Sequence, residues 1–205
     1  MNPRVVLASR NPKKVLELSR ILSGAHAQVD VVGPDAFAQM PEVVESGETF
    51  LANATLKAVA VANFTGEIAI ADDSGLTVDA LKGMPGVLSA RWAGGHGDDG
   101  QNLALVLAQL RDVPAERRGA AFECAAVAAR ITLTGDLEIL ASHGSVRGRL
   151  AMEPVGDNGF GYDPIFVPDG YQETTAQLEP AAKDGISHRG QALRGLAEQL
   201  TDWLG

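Results

Sequence analysis

Two neighbouring acids, Asp72 and Asp73, are followed by Ser74 and Gly75 at what the residue pattern makes the end of a strand. Carboxylates at a strand terminus reach into a crevice, where a hard cation such as magnesium takes one or two of them and completes its shell with water and substrate phosphate. Glu45, just ahead of Ser46-Gly47, is a second candidate carboxylate, although spacing alone makes it an ordinary loop acid. The stretch Ser9-Arg10-Asn11-Pro12-Lys13-Lys14 sets hydroxyl, amide and cationic groups between a strand and a helix N-terminus, which is a phosphate site in outline. The GxxxxGK[ST] pattern is absent, and taken alone the same residues read more simply as a capped helix with solvated lysines.

Asn53 and Lys57 lie four apart and therefore share a helix face at the edge of an apolar stripe, where a lysine either snorkels to solvent or reaches into a pocket. Further on, Gly159-Phe160-Gly161-Tyr162-Asp163-Pro164 joins aromatic rings to glycines that let backbone approach a ligand. Ser187-His188-Arg189-Gly190, with Lys183 nearby, adds a second cationic cluster.

Positioning these groups requires alternating strands and helices. Residues 5–7 read as a short buried strand, and Asn11-Pro12 as an N-cap followed by proline at the first helical position. Val15, Leu18 and Leu22 then recur at helical spacing, and residues 28–32 form a second strand. Residues 48–64 lack Gly and Pro and carry Phe50, Ala54, Ala58 and Val61 on one stripe, which predicts a long helix. Residues 68–71 predict a strand entering the acidic turn, with extended chain over 76–81. Residues 101–110 predict a helix, and residues 120–133 and 137–146 flank Thr134-Gly135-Asp136 as the arms of a hairpin. After the glycine-rich loop 157–163 and the polar run 183–190, Leu193, Leu196, Leu200 and Leu204 mark a last helix. The class is α/β with an antiparallel middle.

Composition narrows the partners. The 205 residues carry 26 acidic against 17 basic side chains, a formal net charge of -9, so the chain as a whole repels nucleic acid and anionic membrane. A polyanionic ligand needs a local basic pocket. The lone Cys124 suits a reducing cytoplasm, the apolar run at 5–8 is too short for a signal peptide, and no segment reads as a membrane span. A single domain over residues 1–205 is expected.

Six segments in order, SRNPKK (9–14), ESGETFLANATLKA (45–58), ADDSGL (71–76), PGVLSARWAG (85–94), GFGYDPIF (159–166) and SHRGQAL (187–193), resemble the Ham1-like inosine/xanthosine triphosphate pyrophosphatases. One departure is Ala52, where that family commonly has an acid before the asparagine. The resemblance implies an ITPase-like two-lobed fold around a long mixed sheet, a cytoplasmic homodimer, and magnesium-dependent (or manganese-dependent) hydrolysis of ITP, dITP and XTP to monophosphate and pyrophosphate.

It also implies roles. Asp73 resembles the base and a metal ligand, Glu45 the other metal ligand, with Asp72 and Lys57 in the catalytic group. Ser9, Arg10, Asn11, Pro12, Lys13 and Lys14 would hold the triphosphate. Ser74, Phe160, Gly161, Tyr162, Asp163, Lys183, His188 and Arg189 would surround the base. The alternatives are a Maf-like pyrimidine triphosphate pyrophosphatase, disfavoured by the GFGYD and SHR segments, and a non-catalytic nucleotide-binding module, disfavoured by the clustered carboxylates.

Overall fold

The computed structural model describes residues 3–9, 12–24, 29–40, 42–95 and 97–204, with the side chains of Pro12 and Lys13 excepted. Six strands form one mixed sheet in the order β2-β1-β3-β4-β5-β6. They are β1 (Arg4–Leu7), β2 (Asp30–Val32), β3 (Ile68–Val78), β4 (Gly119–Ile131), β5 (Leu137–Leu150) and β6 (Phe166–Pro168). β1 runs parallel to both β2 and β3, and β5 runs antiparallel to β6. β4 and β5 are neighbours joined by a five-residue turn in which Thr132 N–H donates to Asp136 O at 2.9 Å, a connection that only antiparallel strands can make. The helices are α1 (Pro12–Gly24), α2 (Phe50–Thr65), α3 (Asp99–Gln109), α4 (Pro180–Gly185) and α5 (His188–Leu204). Among the described residues no helix is long and apolar enough to cross a membrane.

The chain divides into two compact units, the first comprising residues 1–73, 124–144 and 191–205 and the second residues 74–123 and 145–190. In the first, alternation along the strands builds two apolar layers. Val5, Leu7, Ile70, Cys124, Ala126 and Ala128 face one layer with Leu18 and Leu22 of α1 and Leu193, Leu196 and Leu200 of α5. Val6, Ala69, Ala71, Ala125, Val127 and Ala129 face the other with Ala54, Ala58, Val61 and Ala62 of α2. The small side chains on β4 and α2 let the helix lie close to the sheet. α2 starts at Phe50 rather than at residue 48 because the Thr49 hydroxyl caps it, accepting from Ala52 N–H at 3.1 Å, and it stops at Gly66, whose φ of 71° is left-handed.

The second unit packs Leu76, Val78, Leu103, Val106, Leu110, Leu150, Ile165 and Phe166 into its own core. Asp98 caps α3 by accepting from Gln101 N–H at 2.9 Å. At the other end of α3, the buried Arg118 guanidinium donates to Leu110 O at 2.7 Å, Val113 O at 2.9 Å and Ala151 O at 3.0 Å, tying the end of the helix to the residue after β5.

Three expectations need correction. Residues 72–75 are not a turn at a strand end, because β3 runs unbroken through them to Val78. Gly75 is there for space: a Cβ would collide with Ser89 Oγ and would stand 2.7 Å from Gly86 O. The residues expected as a polar run before the last helix are instead α4, carrying Lys183, and the first turn of α5, where Ser187 Oγ accepts from Gly190 N–H at 3.1 Å. The extended chain expected over 76–81 ends at Val78, after which Asp79–Leu81 form a single 3-10 turn, whereas the strand expected at 28–32 is β2 over Asp30–Val32, residue 28 lying outside the described residues.

Gly75→Ala is expected to destabilise the protein by about 1–3 kcal/mol through overpacking against Ser89 and Gly86. A shift of the urea midpoint without change in slope would confirm it, and an unchanged midpoint would refute the close approach.

Candidate active site

In the first unit β1 pairs with β2 on one edge and with β3 on the other, so the strand order reverses and β1 and β3 flank a topological switch point, where open α/β sheets hold ligands beyond the carboxyl ends of their strands. Leu7 pairs with Ile70, and Ala8 N–H donates to Ile70 O at 2.7 Å, so the segment after β1 starts alongside Asp72. Arg10 and Asn11 lie outside the described residues, as do the side chains of Pro12 and Lys13; Ser9 is half-buried just after β1.

Because β3 is continuous, Asp72 and Asp73 leave it on opposite faces. Asp72 falls on the face of α1, and its carboxylate, 2% exposed, accepts from Lys14 Nζ at 2.8 Å. Asp73 falls on the face of α2, where its Oδ2 accepts from Asn53 Nδ2 at 3.0 Å and its Oδ1 lies 3.7 Å from Lys57 Nζ. Lys57 Nζ also donates to Glu45 Oε1 at 2.6 Å. The structure thus brings Glu45, Asp73 and Lys57 together and assigns Asp72 and Lys14 to a separate pair. Asn53, noticed for its spacing from Lys57 but given no role, belongs to the cluster. Its signal was the (i, i+4) spacing itself.

Among the described residues no group of three or more His, Cys, Asp or Glu side chains is arranged to hold a metal by itself. The donor set nevertheless fits a magnesium ion, which takes few protein ligands: two hard carboxylates, Glu45 and Asp73, converge on a single cationic atom, Lys57 Nζ.

In the second unit, Asp163 holds the glycine loop from within. Its Oδ2 accepts from Phe160 N–H at 2.9 Å and from Lys183 Nζ, and its Oδ1 accepts from the Thr175 hydroxyl at 2.8 Å. Gly161 N–H donates to Asp99 Oδ2 at 2.8 Å. Gly159, at a φ of 85°, leaves room for the Asp163 carboxylate, which a Cβ would overlap. The outcome is a Phe160 ring left 78% exposed, with Lys183 Nζ 5.3 Å from its centroid. The His188 ring stacks on Phe122 at 5.1 Å and 12°, and Arg189 is buried beside it in sequence. Phe122 was not singled out from the sequence, because nothing in a strand pattern identifies the ring beneath a histidine. Ser74 is half-buried in this unit.

A family model described as the Ham1 family matches residues 5–199. The chain belongs to the Ham1 family. A protein of Nocardia farcinica named dITP/XTP pyrophosphatase is 55% identical over 198 residues, covering 96% of this chain and 94% of its own length. The crystal structure of a nucleoside-triphosphatase / dITP/XTP pyrophosphatase from Mycobacterium abscessus is similar at a TM-score of 0.79 and 51% identity, covering 94% of this chain and 98% of that one. A HAM1 protein structure from Coxiella burnetii reaches a TM-score of 0.88 at 40% identity, covering 98% and 99%.

In this Ham1-family chain the Tyr162 ring is packed inward. It is 5% exposed in the core of the second unit, and its hydroxyl donates to Ser89 O at 2.8 Å. Burial, with the Asp99 charge in addition, pushes its phenol well above the ordinary value of 10.0. The neutral phenol is therefore favoured in the folded state, so its contribution to stability is complete below pH 10 and declines as the unfolded chain ionises above it. Tyr162→Phe is expected to cost about 1 kcal/mol at neutral pH. That difference should narrow as denaturation is followed upward from pH 10, and a gap that widens instead would contradict the buried neutral phenol.

Proposed function

We propose that this chain is a nucleoside triphosphate pyrophosphatase that hydrolyses dITP, XTP and ITP to the monophosphate and pyrophosphate, clearing deaminated purines from the nucleotide pool. The observation that carries the reading is the convergence of Glu45 and Asp73 on Lys57 beyond the switch point, in a chain matched over nearly its whole length by relatives named dITP/XTP pyrophosphatase. Those names leave the pyrimidine-directed and non-catalytic alternatives without support.

Asp73 takes the proton of the attacking water through Oδ1 while Asn53 holds its other oxygen. The water oxygen bonds to the α-phosphorus as the α–β anhydride bond breaks, and pyrophosphate leaves. Lys57 and Lys14 exchange their carboxylate partners for phosphate oxygens as the polyanion arrives. Glu45 and Asp73 are the residues that would hold magnesium or manganese, which when bound neutralises charge on the phosphates. Phe160 stacks on the purine, and Lys183, His188 and Arg189 donate to its six-oxo oxygen, an edge that adenine replaces with an amino donor. The family resemblance supports a homodimer, and the lone buried Cys124 a cytoplasmic setting.

Pyrophosphate release compared across dITP, XTP, ITP, dATP, dGTP and dCTP tests the activity; turnover of dATP or dCTP equal to that of dITP would refute the substrate class. Asp73→Asn is expected to lower turnover about a hundredfold or more with magnesium while the fold persists. Near-normal turnover of that variant would remove Asp73 from the mechanism. Phe160→Ala is expected to raise KM for dITP roughly tenfold, the value of one lost base–aromatic stack. Since the ring is exposed, stability should stay within about 0.5 kcal/mol, and an unchanged KM would show that the base lies elsewhere.

A further inference from the structure

We infer that Asn53 is a positioning residue that sets the orientation of the Asp73 carboxylate and ties it to the segment bearing Glu45; this rests on the reading of Asp73 as the base. Asn53 is fully buried on α2, and both ends of its amide are engaged. Its Oδ1 accepts from Gly47 N–H at 2.7 Å, and its Nδ2 donates to Asp73 Oδ2 at 3.0 Å. One planar group therefore spans the irregular segment ahead of α2 and the strand that carries the base.

Gly47 is fitted to this contact. A Cβ there would lie 2.8 Å from Asn53 Oδ1, 2.9 Å from Asn53 N and 2.7 Å from Ala52 Cβ, two of these being unyielding neighbours on the helix. Two residues before Gly47, Glu45 is held by Lys57, one turn beyond Asn53 on the same helix face. The (i, i+4) pair thus grips the segment at two points and Asp73 at two atoms. With Oδ2 committed to the amide, Oδ1 is the oxygen set toward Lys57. A carboxylate has no such preference by itself. A donor of fixed direction supplies it, and the neutral amide does so without adding charge beside two acids.

The inference predicts what the two halves of the amide do separately. Asn53→Asp keeps the shape and the acceptor for Gly47 but sets an oxygen against Asp73 Oδ2. Asn53→Leu removes both contacts at nearly the same volume. If the donated bond orients the base, both variants lose about tenfold or more in kcat for dITP with magnesium, since a hydrogen bond to a charged group is at stake. In Asn53→Leu the loss should fall on kcat, with KM within about threefold. Hydrogen exchange at Gly47 N–H should remain slow in Asn53→Asp and become fast in Asn53→Leu. Should Asn53→Leu fail to fold, Asn53→Asp alone carries the test. Wild-type kcat in Asn53→Asp, with Gly47 still protected, would overturn the inference and leave Asn53 a purely structural tie. Asp73→Asn measured alongside separates the two failures: if it is inactive while Asn53→Asp is fully active, only the positioning role falls, whereas an active Asp73→Asn removes the base itself.

Discussion

Side chains alternate along a continuous strand, and two adjacent buried carboxylates on one strand must therefore find separate cations on separate faces. On β3 this rule sends Asp72 toward α1 and Asp73 toward α2, and most of the first unit can be read as its consequence. A carboxylate as enclosed as that of Asp72 costs several kcal/mol if left unpaired, so Lys14 must come from the first turn of a helix that starts directly after β1. On the other face, α2 must pass close enough for Asn53 and Lys57 to reach Asp73. That explains the alanines at 54, 58 and 62 on α2 and at 125 and 129 on β4, where larger side chains would lift the helix away.

The same rule explains how an acidic protein can handle a tetra-anion. The carboxylates do not form one negative patch. Each is matched to a lysine, so the switch point carries ammonium groups already held at defined positions. Two carboxylates around the single ammonium of Lys57 leave a local excess of negative charge suited to a divalent cation, while Lys14 serves the opposite face. Under the proposed function, lysines and carboxylates exchange partners as the triphosphate enters. Its phosphates accept from ammonium groups that were previously neutralising acids, so the desolvation of Lys14 and Lys57 is borne by the fold rather than at binding.

The sequence made the elements of this unit legible because their signals are local. The turn Thr134-Gly135-Asp136 after β4, the alanine-rich stripe of α2 and the proline at the start of α1 each depend on neighbours in the chain. The continuity of β3 was hidden, since Asp-Asp-Ser-Gly has the composition of a turn and the reason for Gly75 is Ser89, a residue distant in sequence. From spacing alone Lys57 reads as a snorkelling side chain, because Glu45 and Asp73 are its partners only in three dimensions. The aromatics of the 159–164 segment looked equivalent, yet Phe160 is exposed and Tyr162 buried. What distinguishes them is the pair of carboxylates, Asp99 and Asp163, that fix the backbone between them.

That fixing gives the loop its physical meaning. A glycine-rich segment with an exposed phenylalanine would ordinarily collapse its ring onto the nearest apolar surface, since burial of an aromatic is favourable by about 1.5–3 kcal/mol. Here the Phe160 N–H is bound to Asp163, the Gly161 N–H to Asp99, and the next ring, Tyr162, is sunk in the core with its hydroxyl on Ser89. Held on both sides, Phe160 stays outward. Lys183 is bonded to the same Asp163 carboxylate that anchors the loop and stands by the Phe160 ring, so one acid orders both an apolar face and a donor at its side. Under the proposed function, a flat ring with an oxygen at its edge would satisfy both at once, whereas an aliphatic or wholly polar ligand would satisfy only one, so a preference for an oxo-purine would rest on the anchoring as much as on Phe160 and Lys183 themselves.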